Sequence, residues 1–401
     1  MPSRSAILLA LVLLASAASA HDPSAYGGLF RSRNLGQSWL NADVGLFLGA
    51  AVSLAIDPRD PNHLLLGTDS GLLESRNGGR SWDRVAPAQL FGAVFAVSFL
   101  ADASVALCAT PGGVYRFDAG QWQQVKAPAE AAPARGIAPG AAVGRVYLIG
   151  RRDLYRSEDG GRSFARVEHG LPDQPEFSAL AVSVQPEEAL FVIADGRFLA
   201  SRDGGQSWQA RATGLPDSPL EGLSLDPGAP GRLWVASAGR LYLSEDGAAS
   251  WRATGVALPE ADTSIRGITA DPSARVLVAA THRGVYRSTD AGATWMQLAD
   301  NLPVHLEARP LVRDPTSPET LYAGFSLIPY GELWRTSVEG GNLLNRVDLV
   351  SLAGGLAFLL LLGLLGVLGA RWLLRRSTAP VGVYEISPSP SLERGGGEGD
   401  K

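Results

Sequence analysis

Short apolar runs alternate with turns rich in glycine, aspartate and asparagine from about Tyr26 to Glu339. Ala51-Val52-Ser53-Leu54-Ala55-Ile56 is a run of strand length closed by Asp57-Pro58. The same strand and Asp-Pro pair return at Leu223 to Pro227, Ile268 to Pro272 and Leu311 to Pro315. A second short apolar run follows each, as in Leu64-Leu65-Leu66-Gly67 or Val276-Leu277-Val278-Ala279. A glycine turn then leads into a third, as in Gly284-Val285-Tyr286-Arg287, and a polar turn leads into a fourth that starts at a tryptophan. Runs this short, rich in Val, Ile, Leu and aromatics and bounded by turn residues, predict β-strands.

The polar turn is the clearest repeat. It reads SEDGGRSF at 157–164, SRDGGQSW at 201–208, SEDGAASW at 244–251 and STDAGATW at 288–295. Copies with asparagine in the third position stand at 32–39 and 75–82, and a shortened one runs from Arg116 to Trp122. The third position falls at 34, 77, 118, 159, 203, 246 and 290, a spacing of 41 to 44 residues. A period in this range marks stacked supersecondary units, each of four strands, as in propeller blades. The turn has a mechanical logic. Asp159, Asp203, Asp246 and Asp290 can accept hydrogen bonds from backbone amides of their own turns. A glycine in the fifth position admits positive φ, and Ala248 is expected to alter or strain its copy. Trp82, Trp208, Trp251 and Trp295 supply large apolar bodies to pack between blades.

These copies resemble the Asp-box (BNR) repeat shared by sialidases, xyloglucanases, sortilin and the photosystem II assembly factor family. The resemblance spans roughly residues 26 to 340 and extends to the Asp-Pro pairs and to Gly-Leu-Pro at 170–172 and 214–216. It implies a single β-propeller in which the box is a structural hairpin distant from the ligand face. Seven four-stranded blades are expected, with six or eight as alternatives. The seventh is closed by pairing the N-terminal hairpin, Gly28 to Leu40, with strands near Leu311 and Leu321, which removes the free sheet edges. Gly331-Glu332-Leu333-Trp334-Arg335 competes with this scheme, because it also reads as a third strand.

The flanks have another character. Residues 1–20 have the form of a secretory signal: Arg4, an apolar core from Ile7 to Leu14, and Ala18-Ser19-Ala20 before the cut. Leu349 to Ala370 is 22 residues without a charge, the length of a transmembrane helix. Arg371, Arg375 and Arg376 follow it, which places residues 371–401 in the cytoplasm and the propeller outside. Small residues four apart (Ala353 and Ala357, Gly366 and Ala370) allow weak homo-oligomerisation through that helix. The tail is rich in Pro, Ser, Gly and Glu and is expected to be disordered.

A net charge of −5 argues against nucleic acid as a partner. Cys108 is the only cysteine, so no internal disulfide forms, and its apolar setting predicts a small buried side chain. No Asn-x-Ser/Thr sequon occurs. The five histidines stand singly and are expected in loops or at the surface, so neither a metal site nor a cofactor is predicted. Arg135, Arg266 and Arg309 occupy matching places just before a blade's first strand. Innermost strands start on the face where propellers usually bind ligands, and arginine forks suit carboxylates. The three therefore form the candidate ligand-binding set, for an anionic ligand or an acidic protein surface, with pairing to acids such as Glu221 as the alternative.

The resemblance also sets the test for catalysis. A sialidase needs the arginine cluster with an acid, a tyrosine and a glutamate, yet Tyr115, Tyr155 and Tyr286 fall in third strands. A xyloglucanase needs two facing carboxylates, for which Asp69 and Asp195 are the candidates. The sequence expectation is a membrane-anchored, non-enzymatic propeller outside the cytoplasm that binds a protein or other ligand. A surface glycoside hydrolase is the alternative.

Overall fold

The computed structural model describes residues 27–100, 104–171, 175–229, 231–339, 362–369 and 371. The expected signal segment and the tail beyond Arg371 lie outside them, as does most of the expected membrane span. Residues 362–369 are helical and exposed, and among the described residues no helix is long and apolar enough to cross a membrane. The chain divides into two units, 1–340 and 341–401.

The first unit is a seven-bladed β-propeller, each blade an antiparallel sheet of four strands, numbered here β1 to β28 in chain order. The innermost strands are β3 (Ala51–Ile56), β7 (Ala96–Phe99), β11 (Gly136–Pro139), β15 (Phe177–Ser183), β19 (Gly222–Leu225), β23 (Ile265–Ala270) and β27 (Glu307–Arg313). Each touches the next around the whole ring, β27 returning to β3. Six blades are consecutive in sequence. The seventh is built from both ends of the unit, in the order β2 (Leu40–Asn41), β1 (Gly28–Ser32), β28 (Leu321–Ser326), β27. Leu29 faces Gly324 and Arg31 faces Tyr322 in that register, so the expected hairpin closes the ring.

The core lies between blades rather than at a single centre. Phe30 and Phe325 of the closing blade meet edge to face at 5.3 Å among Val278, Val285, Leu298 and Leu302 of the sixth. Cys108 is fully buried in the equivalent layer between blades one and two, where burial pushes its thiol pKa up. His63 and His169 lie in connecting segments, as expected, but neither is exposed. His169 is buried, and His63 is wedged between Asp57 (3.0 Å) and Glu74 (2.8 Å) against the Phe99 ring. Its two carboxylate neighbours offset the cost of removing the ring from water.

The box turns share one hydrogen-bond scheme. The Ser201 hydroxyl donates to Asp203 Oδ1 (2.7 Å) and accepts from the Gly205 amide (2.9 Å). Asp203 Oδ1 also takes the Ser207 amide (2.9 Å), and Oδ2 takes the Ser207 hydroxyl (2.5 Å). Gly205 has φ of 91°, and a Cβ there would lie 2.2 Å from Leu154 Cδ2, so glycine is needed on both counts. Ala248 keeps the same turn at φ 68°, bonded to Ser244 at 2.9 Å, so the turn is strained but unaltered. Its methyl is fully buried beside Trp251. Burial worth about 0.8 kcal/mol offsets much of a left-handed cost of roughly 1–2 kcal/mol. The shortened copy is no box: Ala119 (φ 51°) and Gly120 (φ 83°) make a two-residue hairpin.

The boxes also latch neighbouring blades. Arginines of the third strands donate to the fourth-position carbonyl of the next blade's box: Arg31 to Gly78 (2.5 Å), Arg116 to Gly160 (2.8 Å), Arg156 to Gly204 (3.5 Å) and Arg287 to Leu35 (2.8 Å). The Trp82, Trp251 and Trp295 indoles reach back to Ala42, Arg211 and Val256 carbonyls of the preceding blade, while Trp208 bonds its own turn at Gly205.

The box carboxylates hold their charge into strong acid. Hydroxyl bonds from Ser207 and Thr294 are the chief cause at Asp203 and Asp290, with backbone amides adding, and each pKa falls to about 2. At Asp159 and Asp246 partial desolvation is the largest single influence and opposes this, but the combined hydrogen bonds outweigh it, again reaching about 2. A folded pKa below the unfolded value of about 3.9 gives stability that is complete above that value and lost as pH falls toward 2. Asn34 shows what an amide does in this place, accepting the Ser38 amide through Oδ1 and donating to its hydroxyl through Nδ2 (both 2.9 Å). Replacing all four aspartates by asparagine is therefore expected to keep the fold and flatten the decline in melting temperature between pH 4 and pH 2. A decline as steep as in the parent chain, followed by circular dichroism, would refute this origin for it.

Candidate functional site

Antiparallel order places the two ends of the ring apart. The innermost strands start at one end, here called the upper mouth, and the box turns between third and fourth strands lie at the other. The boxes are thus remote from the upper mouth, as the resemblance implied.

Two of the three candidate arginines are set at this mouth by the same device. Arg266 is the extra residue of a β-bulge in β23, between the pairs Ile265–Thr281 and Gly267–Ala280. Arg309 lies in the corresponding bulge of β27, and Val52 and Ser178 occupy those of β3 and β15. A bulge re-aims the side chain that the regular pleat would commit to one face. Arg135 stands just before β11, its amide bonded to the Ile149 carbonyl at 2.8 Å.

Across the mouth lies a helix, α1 (Tyr330–Glu339), in the segment whose pattern also fitted a third strand. The edge of β28 that a third strand would take is already occupied by β1. Tyr330, Leu333, Trp334 and Val338 instead form a helical stripe, seated on Ala50, Val52, Ala93 and Phe95 of the first two blades. Glu332 in the first turn favours the helix dipole, and the Pro329 carbonyl accepts the Glu332 and Leu333 amides at 2.9 and 3.1 Å.

The arginines meet this helix. The Arg309 guanidinium lies 3.8 Å over the Tyr330 ring, and that of Arg135 lies 4.3 Å over Trp334. The two rings are stacked 6.4 Å apart, and Phe95 presents its edge to both. Arg135 also pairs with Glu176 at 2.5 Å. Arg266 pairs with Glu307 at 3.3 Å, and the second Glu307 oxygen accepts the Tyr330 amide at 2.5 Å. The partners are therefore Glu176 and Glu307, whereas Glu221 takes the Ser264 hydroxyl at 3.1 Å. Burial lowers the Arg135 pKa most, and the positive charges of Arg309 and Arg151 lower it further against the help of Tyr330 and Glu176. Arg135 and Arg309 thus sense each other from blades three and seven. Burial likewise raises the Tyr330 phenol, against Arg309 and Arg135.

The seat of α1 is polar without being saturated. Arg135 Nε, Tyr330 Oη and Trp334 Nε1 there, and Arg266 Nε and Glu221 Oε2 beside the starts of other blades, are buried with no hydrogen-bond partner among the described residues. Arg266 Nε is within ion-pair reach of Glu307 but out of line for a hydrogen bond. Each such group costs roughly 1–3 kcal/mol. Beside them a cavity of about 220 Å³ opens between Arg135, Arg151, Glu176, Trp334, Arg335 and Glu339.

The residues that a hydrolase would need stand on different blades. Asp69 and Asp195 lie on upper turns of blades one and four, and Asp195 Oδ1 accepts the Glu176 amide at 2.9 Å. Tyr155 and Tyr286 are buried in interblade layers, where the Tyr286 hydroxyl donates to Glu260. Among the described residues no three His, Cys, Asp or Glu side chains gather as a metal-binding group.

A closed ring of blades locked by Asp-box hairpins defines a BNR-repeat β-propeller. The family profile described as photosynthesis system II assembly factor YCF48 matches residues 114–298, so the chain is similar to that family over its central blades. YCF48 from Cyanidioschyzon merolae is 16% identical, with a TM-score of 0.53 over 71% of this chain and 97% of that one. A YCF48 bound to D1 peptide is 19% identical, with a TM-score of 0.53 over 70% and 95%. The GH74 enzyme of Niastella koreensis is 17% identical, with a TM-score of 0.55 over 72% of this chain and 53% of that one. At these identities the likeness is one of fold. No curated protein matches the chain in sequence.

Proposed function

We propose that the chain is a non-enzymatic binding propeller whose upper mouth takes an anionic segment of a protein partner. The observation that carries this reading is the convergence of Arg135, Arg266 and Arg309 on one mouth, with Arg135 and Arg309 near enough to perturb each other. The solved YCF48 that holds the D1 peptide supports a peptide as the class of ligand. In this proposal the chain is tethered to a membrane by residues 349–370, with the propeller outside the cytoplasm, and serves assembly of an envelope complex.

The test is fluorescence anisotropy of a fluorescein-labelled, glutamate-rich peptide with the full-length chain in detergent. Arg266 does not stack on α1, so Arg266→Ala removes a carboxylate partner while leaving the Arg135 and Arg309 contacts with the helix rings in place. A charged hydrogen bond is worth about 1.5–3 kcal/mol, so binding is expected to weaken at least about tenfold. Unchanged affinity would count against the reading. Turnover of fluorogenic sialosides or xyloglucan oligomers, abolished by the same substitution, would replace it with a hydrolase.

A further inference from the structure

We propose that α1 is an internal stand-in for the partner peptide, holding the arginine mouth until an acidic, aromatic-bearing segment displaces it. This inference rests on the function proposed above. Three observations carry it.

The first is where α1 sits. It joins no sheet, yet it touches the start of the innermost strand in blades one, two, three and seven, through Ala50, Phe95, Arg135 and Arg309. It therefore covers Arg135 and Arg309, two of the three arginines of the proposed site.

The second is how it is held. Arg135 and Arg309 present their flat faces to Trp334 and Tyr330, four residues apart on one side of the helix. Face contact engages the charge but uses none of the N–H donors. Buried and unpartnered donors remain on both sides of the contact: Arg135 Nε below, Tyr330 Oη and Trp334 Nε1 above. A carboxylate supplies the lone pairs that the arginine donors lack, and an aromatic side chain refills the slot between Phe95 and Arg309. An incoming segment with both satisfies the mouth better than α1 does.

The third is the attachment. α1 connects to the ring through Leu327–Pro329, and the Tyr330 amide on Glu307 is its anchor at that end. Withdrawing the helix breaks no strand pairing, because β28 ends at Ser326.

Two measurements on the full-length chain test this. Hydrogen exchange of the unmodified protein, without peptide, is expected to show α1 amides exchanging at least about a hundredfold faster than those of β28. Equal protection of α1 and β28 would overturn the stand-in role. Binding of a fluorescein-labelled peptide of glutamate and tyrosine is then compared between the parent and Tyr330→Ala/Trp334→Ala. Apparent affinity falls with the fraction of molecules whose site is open, so the double variant is expected to bind at least about tenfold more tightly. Equal or weaker binding by the variant overturns the proposal. This direction is opposite to that expected of Arg266→Ala, which separates the two readings. Binding by neither protein would overturn the ligand reading, and the exchange comparison, which needs no variant, then decides the role of α1 alone.

Discussion

Alanine in place of Arg313 is expected to remove about 3–5 kcal/mol of folding stability. Arg313 lies at the lower end of β27 with its side chain almost wholly buried. It donates to the Ala270 carbonyl of blade six and reaches past it to Asp226 of blade five at 2.5 Å. One side chain thus ties three innermost strands together from 87 residues away. Asp226 retains Arg232 on Oδ2 at 3.3 Å and the Gly228 amide on Oδ1 at 2.9 Å, but the substitution takes from Oδ1 the cation that offsets its buried charge. The penalty comes from the abandoned partner more than from the lost attraction. Arg313→Met combined with Asp226→Leu, which removes both charges and keeps volume, should therefore recover most of the loss. Urea unfolding of the two variants against the parent decides it. A loss below about 1 kcal/mol for Arg313→Ala, the range of exposed pairs, would mean that water reaches the cluster.

Much of this architecture is legible in the sequence because it repeats. The box needs a hydroxyl, a carboxylate or amide, and glycine at fixed offsets, and six copies announce the period. The register also aligns Arg135, Arg266 and Arg309, since equivalent positions in stacked units lie at one end of the ring. What repetition hides is whatever departs from it. The bulges that re-aim Arg266 and Arg309 leave no signature, because one inserted residue looks like ordinary loop variation. In the repeat frame Gly331 to Arg335 imitates a third strand. It becomes a helix because β1 has already taken the last edge, a contact some 290 residues distant in sequence order that no local pattern records. The same blindness hid His63, whose partners Asp57 and Glu74 stand just after β3 and within β5, and the arginine latches, which join one blade's third strand to the next blade's box.

Phe325→Ala is expected to destabilise the propeller by about 3–5 kcal/mol and to lower its melting temperature by on the order of 10 °C. Phe325 is completely buried, meets Phe30 edge to face, and packs on Val278 and Val285 of the neighbouring blade. The closing blade has a particular burden. Every other blade is one continuous stretch, so its strands stay close even when their packing loosens. Here β28 and β1 are joined only by their hydrogen bonds and by the side chains between blades. A cavity at Phe325 weakens the side-chain part of that joint, and an open ring exposes a sheet edge on each side. The loss should therefore appear in hydrogen exchange as faster opening of β1 and β28 before any other pair of strands. Val143, fully exposed, provides the comparison, since Val143→Ala should change stability by less than about 0.5 kcal/mol. If Phe325→Ala instead accelerated exchange evenly through all seven blades, the joint between the chain ends would be no weaker than any hairpin in the ring, and closure would have to be secured by the backbone pairing alone.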